Sequence, residues 1–385
     1  MFGPKSILGV DLGSGGIKLI ELHQQKHRPV LFTYGYTTGS QDMQKVTEVS
    51  QINSRGTGGL IAVSESEIKE ADSLKMETLA YSAENVDKYA YALKTVYKDA
   101  RCKAKSAVVS LPVSAVFHSI VTMPKVAKKE EFNSILRAEI QKLLPRPMDE
   151  LSLDYQILPG PADSKSQRVL VNAVSRALVA FYTKVFQKVG IRLEALEPES
   201  TALGRALVGR DQSISMIVDI GAQRTNFFII DEAIPITHHS IEMGGNRISG
   251  ILKNILQIDS SLVEQIKFDM SAFLETARNK VLSREKFIEI LMPVVDPIVK
   301  EIEYSFGLYL SQAGNENRRP EKIVLTGGAA MLPFVDEYIA QKFQIKCYVG
   351  DPWARVVYQD GLKPVLHQIG SRMAVCIGLA LRNML

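Results

Sequence analysis

The sequence predicts a two-domain α/β protein whose halves are copies of one strand–turn–strand unit. Three observations carry that expectation. At 385 residues the chain is too long for one small core and suits two domains of ordinary size. Ile7-Leu8-Gly9-Val10-Asp11-Leu12-Gly13 and Ser215-Met216-Ile217-Val218-Asp219-Ile220-Gly221 superpose without a gap, each a hydrophobic strand, then Asp, an aliphatic residue and Gly. Lys322-Ile323-Val324-Leu325-Thr326 then runs into Gly327-Gly328 with a helical pattern beyond. One Asp-x-Gly segment is an ordinary turn. Two, in matching hairpins that each open half of a chain, point to a duplicated domain.

The elements follow in order. Ile7 to Val10, the Gly-rich turn after Asp11, and Ile17 to Leu22 read as a β-hairpin. Residues 38–75 are polar and Gly/Ser-rich, hence loops with at most one short strand at Leu60 to Val63. Val86, Tyr89, Ala90, Leu93, Val96 and Tyr97 recur at helical spacing within 83–101. Strands at Ser106 to Leu111 and Ala115 to Met123 precede a helix from Lys129 to Leu144, closed by Pro145-Arg146-Pro147. With strands at Leu151 to Leu158 and Val169 to Ser175, this β-α-β-β order predicts a small α+β subdomain inserted at 104–172. A helix from Leu178 to Val189 and a strand near Leu193 lead to Glu197-Pro198 and a short helix, Ala202 to Leu207. The second hairpin spans Ser215 to Ile230, with helical patterns over 246–257, 260–267 and 284–313. A strand at Ile323 to Leu325 and helices at Leu332 to Phe343 and Arg372 to Asn383 complete the chain. The expected division is 1–212 and 213–364, with 365–385 packing back on the first domain.

Composition narrows the function classes. Hydrophobic residues make up 46% and charged residues 23%, as in soluble globular proteins. A net charge of +4, with no dense Lys/Arg cluster, argues against nucleic-acid binding. Cys102, Cys347 and Cys376 lie far apart without CxxC spacing, which argues against a disulfide framework or metal cluster and fits a reducing compartment. Met1-Phe2-Gly3-Pro4-Lys5 shows no signal-peptide core, and no uninterrupted apolar run approaches the ~20 residues that cross a bilayer. The expected location is cytoplasmic, with membrane contact only indirectly, through partners.

The paired hairpins suit phosphate chemistry. A Gly turn offers backbone N–H groups to phosphate oxygens, because Gly permits the conformation and the close approach. Gly13, Ser14 and Gly15 in the first turn and Gly221, Ala222, Thr225 and Asn226 in the second are the candidate phosphate-binding residues. Asp11 and Asp219 would face each other across a cleft and hold Mg²⁺ through water, since Mg²⁺ dehydrates reluctantly. Ser14 and Thr225 offer hydroxyls, and Lys18 an ammonium for the outer phosphates. After the third strand, Gly327, Gly328 and Ala329 leave bare backbone for an adenosine. Gln223 and Arg224 either narrow the phosphate space or point outward.

In this order the three elements resemble the actin/Hsp70/hexokinase ATPase superfamily. Within it the chain is similar to the PilM family, the FtsA-related actin-like proteins of type IV pilus assembly. The resemblance rests on Ala138-Glu139-Ile140, on Leu143-Leu144-Pro145-Arg146-Pro147-Met148-Asp149-Glu150-Leu151-Ser152-Leu153-Asp154-Tyr155-Gln156, on Tyr309-Leu310-Ser311-Gln312 and on Asp351-Pro352. It implies an actin/Hsp70-like ATPase fold: two ribonuclease-H-like domains with an inserted, FtsA-type 1C subdomain. Gly244-Gly245 then match the family's Gly-Gly segment near the nucleotide. Glu264 and Lys267 resemble the pair that reaches ribose and adenine, a solvated helix turn being the competing reading. Gly378 matches the small residue of the helix between domains, which ordinary helix packing explains equally. Glu197 resembles the Hsp70 position that orients the attacking water, with a structural salt bridge as the alternative.

With no convincing base and no arginine finger in the motifs, the resemblance implies a nucleotide-loaded adaptor with at most slow ATP hydrolysis. Its partner would be the N-terminal cytoplasmic peptide of a PilN-like membrane protein in the pilus inner-membrane complex. Leu144, Pro145, Pro147, Leu151 and Asp154 are the candidate contacts, and a homo-oligomer stays open. The competing readings are an FtsA-like membrane-associated filament protein and a small-molecule kinase of the same superfamily. Ala374 to Leu381, apolar on nearly all faces, reads as a buried helix and not as a membrane anchor.

Overall fold

The computed structural model describes residues 6–37, 81–144, 147–160, 163–266, 284–312 and 315–384. The 38–75 loop with its Leu60 to Val63 strand, and Pro145, Arg146 and Lys267, lie outside the described residues. The first sheet holds β1 (Ser6–Gly13), β2 (Gly16–Gln25), β3 (Arg28–Tyr36), β4 (Ser106–Leu111) and β8 (Arg192–Pro198), ordered β3-β2-β1-β4-β8. The three-stranded sheet between β4 and β8 in the chain holds β5 (Val116–Pro124), β6 (Leu151–Ile157) and β7 (Ser166–Ser175), ordered β5-β7-β6. The second large sheet holds β9 (Ser215–Ile220), β10 (Thr225–Asp231), β11 (Ile234–Ile241), β12 (Lys322–Thr326) and β13 (Lys346–Val349), ordered β11-β10-β9-β12-β13. In both large sheets the first three strands form an antiparallel meander and the last two join in parallel. β9 is buried at every position and β1 at all but its ends, so both read as continuous apolar runs.

Three strands carry no clear signal in the sequence: β3, β11 and β13. The turns that feed β3 and β11 are two-residue loops, Lys26-His27 and Glu232-Ala233, and all four residues sit at positive φ. Such hairpin turns ordinarily advertise themselves by Asn-Gly or Asp-Gly. Here non-glycine residues hold the left-handed conformation, so the marker is missing.

Helices cover the sheets. α1 (Ala83–Asp99) and α3 (Arg176–Val189) share a core with β1, built on Leu93, Phe181, Val185 and Phe186. α2 (Lys129–Leu143) lays Phe132, Leu136 and Ile140 on Val121, Val169 and Val171 of the inserted sheet. After β8 comes α4 (Glu199–Leu203), which widens into one π turn over Gly204–Val208. The second sheet carries α5 (Gly245–Leu256), α6 (Ser260–Ile266), α7 (Arg284–Leu310) and α8 (Val335–Phe343).

The last helix, α9 (Lys363–Ala380), begins nine residues before the predicted Arg372 and is buried along most of its length. Asp360–Asn383 is long and apolar enough to cross a membrane, but 72% of its most apolar window is buried inside the protein. Its core joins Ile20 and Leu22 of the first sheet to Ile217, Phe228 and Val324 of the second. Two glycines permit the fit. A Cβ at Gly9 would stand 2.1 Å from the Cys376 carbonyl oxygen, and one at Gly378 would stand 1.9 Å from that of Ala202. α9 therefore touches both β1 and α4 backbone to backbone.

Candidate nucleotide site

The two predicted turns meet. A Cβ built on Gly15 would lie 3.2 Å from the Cβ of Ala222, so the first turn abuts the second. Behind each turn stands its aspartate, paired across its hairpin. Asp11 lies opposite Lys18 and Asp219 opposite Asn226. Residues directly opposite in an antiparallel pair point to the same face. Lys18 Nζ thus reaches Asp11 Oδ2 at 2.6 Å, and Asn226 Nδ2 donates to Asp219 Oδ2 at 3.2 Å. The duplicated positions differ in charge: the first half supplies a cation, the second an amide.

The parallel neighbours add a further pair. Ser110, on β4 beside Asp11, donates its hydroxyl to Asp11 Oδ1 at 2.8 Å. Thr326, the register partner of Asp219 on β12, donates instead to the Ser371 carbonyl of α9. Gly327 follows at φ +91°, and a Cβ there would stand 2.5 Å from Asp219 Oδ1 and 2.4 Å from the Ile220 carbonyl. Only Gly fits that turn, because an L side chain is strained in this conformation and here has no space as well. Ala329 donates its N–H to Ile220, and a Cβ on Gly328 would lie 3.7 Å from Arg372 Nε. The Gly-Gly loop is thereby packed against Asp219.

The carboxylate that faces both aspartates is Glu199, the first residue of α4. Its Oε2 accepts from the Val113 N–H at 3.4 Å and from Asn226 Nδ2 at 3.5 Å. Burial first, then the charges of Asp11 and Asp219, push Glu199 well above the carboxylate range. Burial likewise raises Asp219 to about 6, aided by Asp11 and opposed by Asn226 and Lys18. Burial pulls Lys18 down, but Asp11, Cys376 and Asp219 together outweigh it and the net displacement is upward. Three carboxyl groups and one ammonium leave surplus negative potential in a buried place, which a cation would relieve. Among the described residues no three His, Cys, Asp or Glu side chains stand close enough to bind a metal directly.

Other candidate residues take supporting positions. Glu197 pairs with Arg205, whose Nη1 lies 3.2 Å from Oε2 and 2.7 Å from the Gly378 carbonyl oxygen. The salt-bridge alternative therefore describes Glu197, and the carboxyl group turned to the crevice is two residues further on. The Thr225 hydroxyl is buried and donates to the Met243 carbonyl, away from the role of phosphate donor. Gly245 and Asn246 donate their N–H groups to the Gly221 and Ala222 carbonyls, so Gly244-Gly245 buttresses the second turn from behind. A Cβ on Gly244 would collide with the backbone of Gln223 and Arg224. Arg224 bonds Glu242 at 2.8 Å and leaves the turn. Glu264, exposed on α6, accepts from Ser249 of α5 at 3.1 Å. The partner candidates divide as well. Leu144 and Leu151 are buried in the core of the inserted subdomain and unavailable to a partner, whereas Pro147 and Asp154 are exposed.

Two five-stranded sheets of one topology, with paired Asp hairpins whose turns meet and a Gly-Gly loop packed on Asp219, define an actin-like protein. The family model described as type IV pilus assembly protein PilM matches residues 64–384, and the chain belongs to that family. Its fold is similar to that of a PilM-PilN type IV pilus biogenesis complex, with TM-score 0.71, 19% identity and 98% of each chain covered. Among curated proteins it is 23% identical over 177 residues to the cell shape-determining protein Mbl of Bacillus subtilis, covering 40% of this chain and 53% of Mbl. It is 22% identical over 225 residues to the cell division protein FtsA of Borreliella burgdorferi, covering 54% of this chain and 52% of FtsA. The chain spans about half the length of these curated relatives.

Proposed function

We propose that this protein is an ATP-binding adaptor of the type IV pilus inner-membrane assembly complex, cytoplasmic and held at the membrane through a PilN-like partner. The observation that carries the nucleotide reading is the acid cluster of buried Asp11 and Asp219 with half-buried Glu199, sited where two glycine turns meet. Those residues fit a magnesium nucleotide. Asp11 and Asp219 would hold the cation through water, and Lys18 and the turn N–H groups would face phosphate oxygens. The cation would supply charge neutralisation there. Burial and the two aspartates favour the protonated form of Glu199, which weakens it as a base and supports slow hydrolysis at most.

The partner reading rests on family membership and on the inserted subdomain. β6 is the edge strand of that sheet, and Leu143, Tyr155 and Ile157 expose apolar side chains on the subdomain. An edge strand with nearby apolar side chains suits an extended peptide. The test is fluorescence anisotropy of a labelled peptide with the N-terminal sequence of the cognate PilN-like protein, with and without ATP and Mg²⁺. Saturable binding is expected, weakened at least about tenfold by Ile157→Asp, a loss of ~1.4 kcal/mol. No binding, or equal binding to the variant, would remove this surface from the account.

A further inference from the structure

His118 of β5 and His238 of β11 meet where the inserted subdomain touches the second large sheet. Their rings stack with centroids 3.7 Å apart and planes within 9° of parallel. His118 Nδ1 lies 2.8 Å from Asn172 Oδ1 on β7. Both nitrogens of His238 have no hydrogen-bond partner; they and His118 Nε2 are shut off from solvent, and His118 lies against the Pro235 and Ile236 backbone. Both residues are half-buried, but their remaining exposure does not reach those three atoms. Phe228 of β10 closes the far side of His238, edge-on at 5.2 Å. Ile120, two residues beyond His118, packs against the core of the second sheet.

Each buried polar atom without a partner costs about 1–3 kcal/mol. A phenyl ring at position 238 would fill the same seam without that cost, so packing gives no reason for an imidazole there. Titration does. The groups facing the pair are Asn172, the Pro235 and Ile236 backbone, Phe228 and the opposite ring. His239, next along β11, turns the other way to Glu301 and Tyr304 of α7. No carboxylate acts on either ring among the described residues. Burial holds both rings below the ordinary histidine range, with His118 adding to the effect on His238.

We propose that the His118–His238 stack is a proton-operated latch: it fastens the inserted subdomain to the second domain while both rings are neutral, and proton uptake opens it. A ring that resists protonation when closed takes up protons preferentially when open. Closure is therefore fully favoured above the ordinary value of about 6.5 and weakens as pH falls below it. The latch is joined to the crevice through β11. Ser240, on the same face as His238, donates to Asn226 Oδ1 at 2.9 Å, and the amide group of Asn226 donates to Asp219.

Hydrogen–deuterium exchange of the full chain at about pH 8 and about pH 5.5 tests this, with rates corrected for intrinsic exchange and referred to α1 and α3. One ring titrating near 6.5 in the open form increases opening about tenfold between those conditions. Protection of β5 and β11 should fall by about that factor in the wild type, and stay level in His118→Phe/His238→Phe. A loss shared equally by α1 and α3, no loss at all, or an undiminished loss in the double variant would each overturn the latch. Should the double variant not fold, His238→Phe alone must reduce the pH dependence, and an unchanged dependence would be equally fatal.

Discussion

Replacing Asp219 by Asn removes a charge from the acid cluster and preserves shape, since the amide oxygen still accepts from Asn226. The nucleotide-free protein should become more stable at pH 8. Asp219 is displaced from an ordinary 3.8 to about 6, with burial as the chief cause. That displacement corresponds to about 3 kcal/mol between the two ends of the titration. The sign is set by the upward direction: the folded state holds this proton more tightly than the unfolded chain. The contribution is fully present below about pH 4 and is lost as pH rises through about 6. Glu199 shares the same potential and will readjust, so the expected gain for Asp219→Asn at pH 8 is about 1–3 kcal/mol. At about 2–4 °C per kcal/mol, the melting temperature rises by about 2–12 °C. At pH 4.5 the folded-state carboxyl group is protonated but most unfolded chains have ionised theirs, so the gap should shrink to about a third of its pH 8 value. The assay is thermal melting of metal-free protein in a chelator at both pH values. A variant less stable than wild type at pH 8, or a gap equal at both pH values, would refute the reasoning.

Two further substitutions separate scaffold from site. Gly378→Ala places a methyl group 1.9 Å from the Ala202 carbonyl oxygen, where only backbone movement could relieve it, so a loss above about 3 kcal/mol or failure to fold is expected from chemical denaturation. Glu197→Gln leaves Arg205 beside a neutral partner and should destabilise the fold by about 2–4 kcal/mol while the folded fraction keeps its ATP affinity, measured by calorimetry. Glu199→Gln should do the reverse: a fold at least as stable as wild type at neutral pH, and an altered Mg²⁺ dependence of ATP binding.

Much of this fold can be read from the amino-acid string because the duplication is written twice. Asp11 and Asp219 each follow an apolar run near the end of a strand, and Lys18 and Asn226 recur at the matching place in the returning strand. Those signals are local. What escapes is non-local or unmarked. β3 and β11 hide behind turns of Lys26-His27 and Glu232-Ala233, which lack the expected glycine or asparagine. Glu197 and Glu199 differ by two positions, but β8 ends between them. The residue before the strand's last turns to Arg205 and the first helical residue turns to Asp11 and Asp219, a choice set by tertiary packing. An acidic residue opening a helix just beyond the carboxyl end of a parallel strand is a usable sign, since sites gather there in open α/β sheets. The burial of Leu144 and Leu151 follows from the helix and strand they flank, a packing fact that their place in a family motif conceals. His118 and His238 belong to different domains, and no spacing rule relates them.

The account depends most on the meeting of the two glycine turns over a shared acid cluster that receives nucleotide. Calorimetric titration of the full chain with ATP in excess Mg²⁺, against Asp11→Ala and Asp219→Ala, tests this most directly. The prediction is one saturable site in the wild type and at least about a tenfold weaker one in either variant, a change of ~1.4 kcal/mol. Wild-type protein that takes up no ATP at millimolar concentration, or affinities untouched by both substitutions, would contradict it.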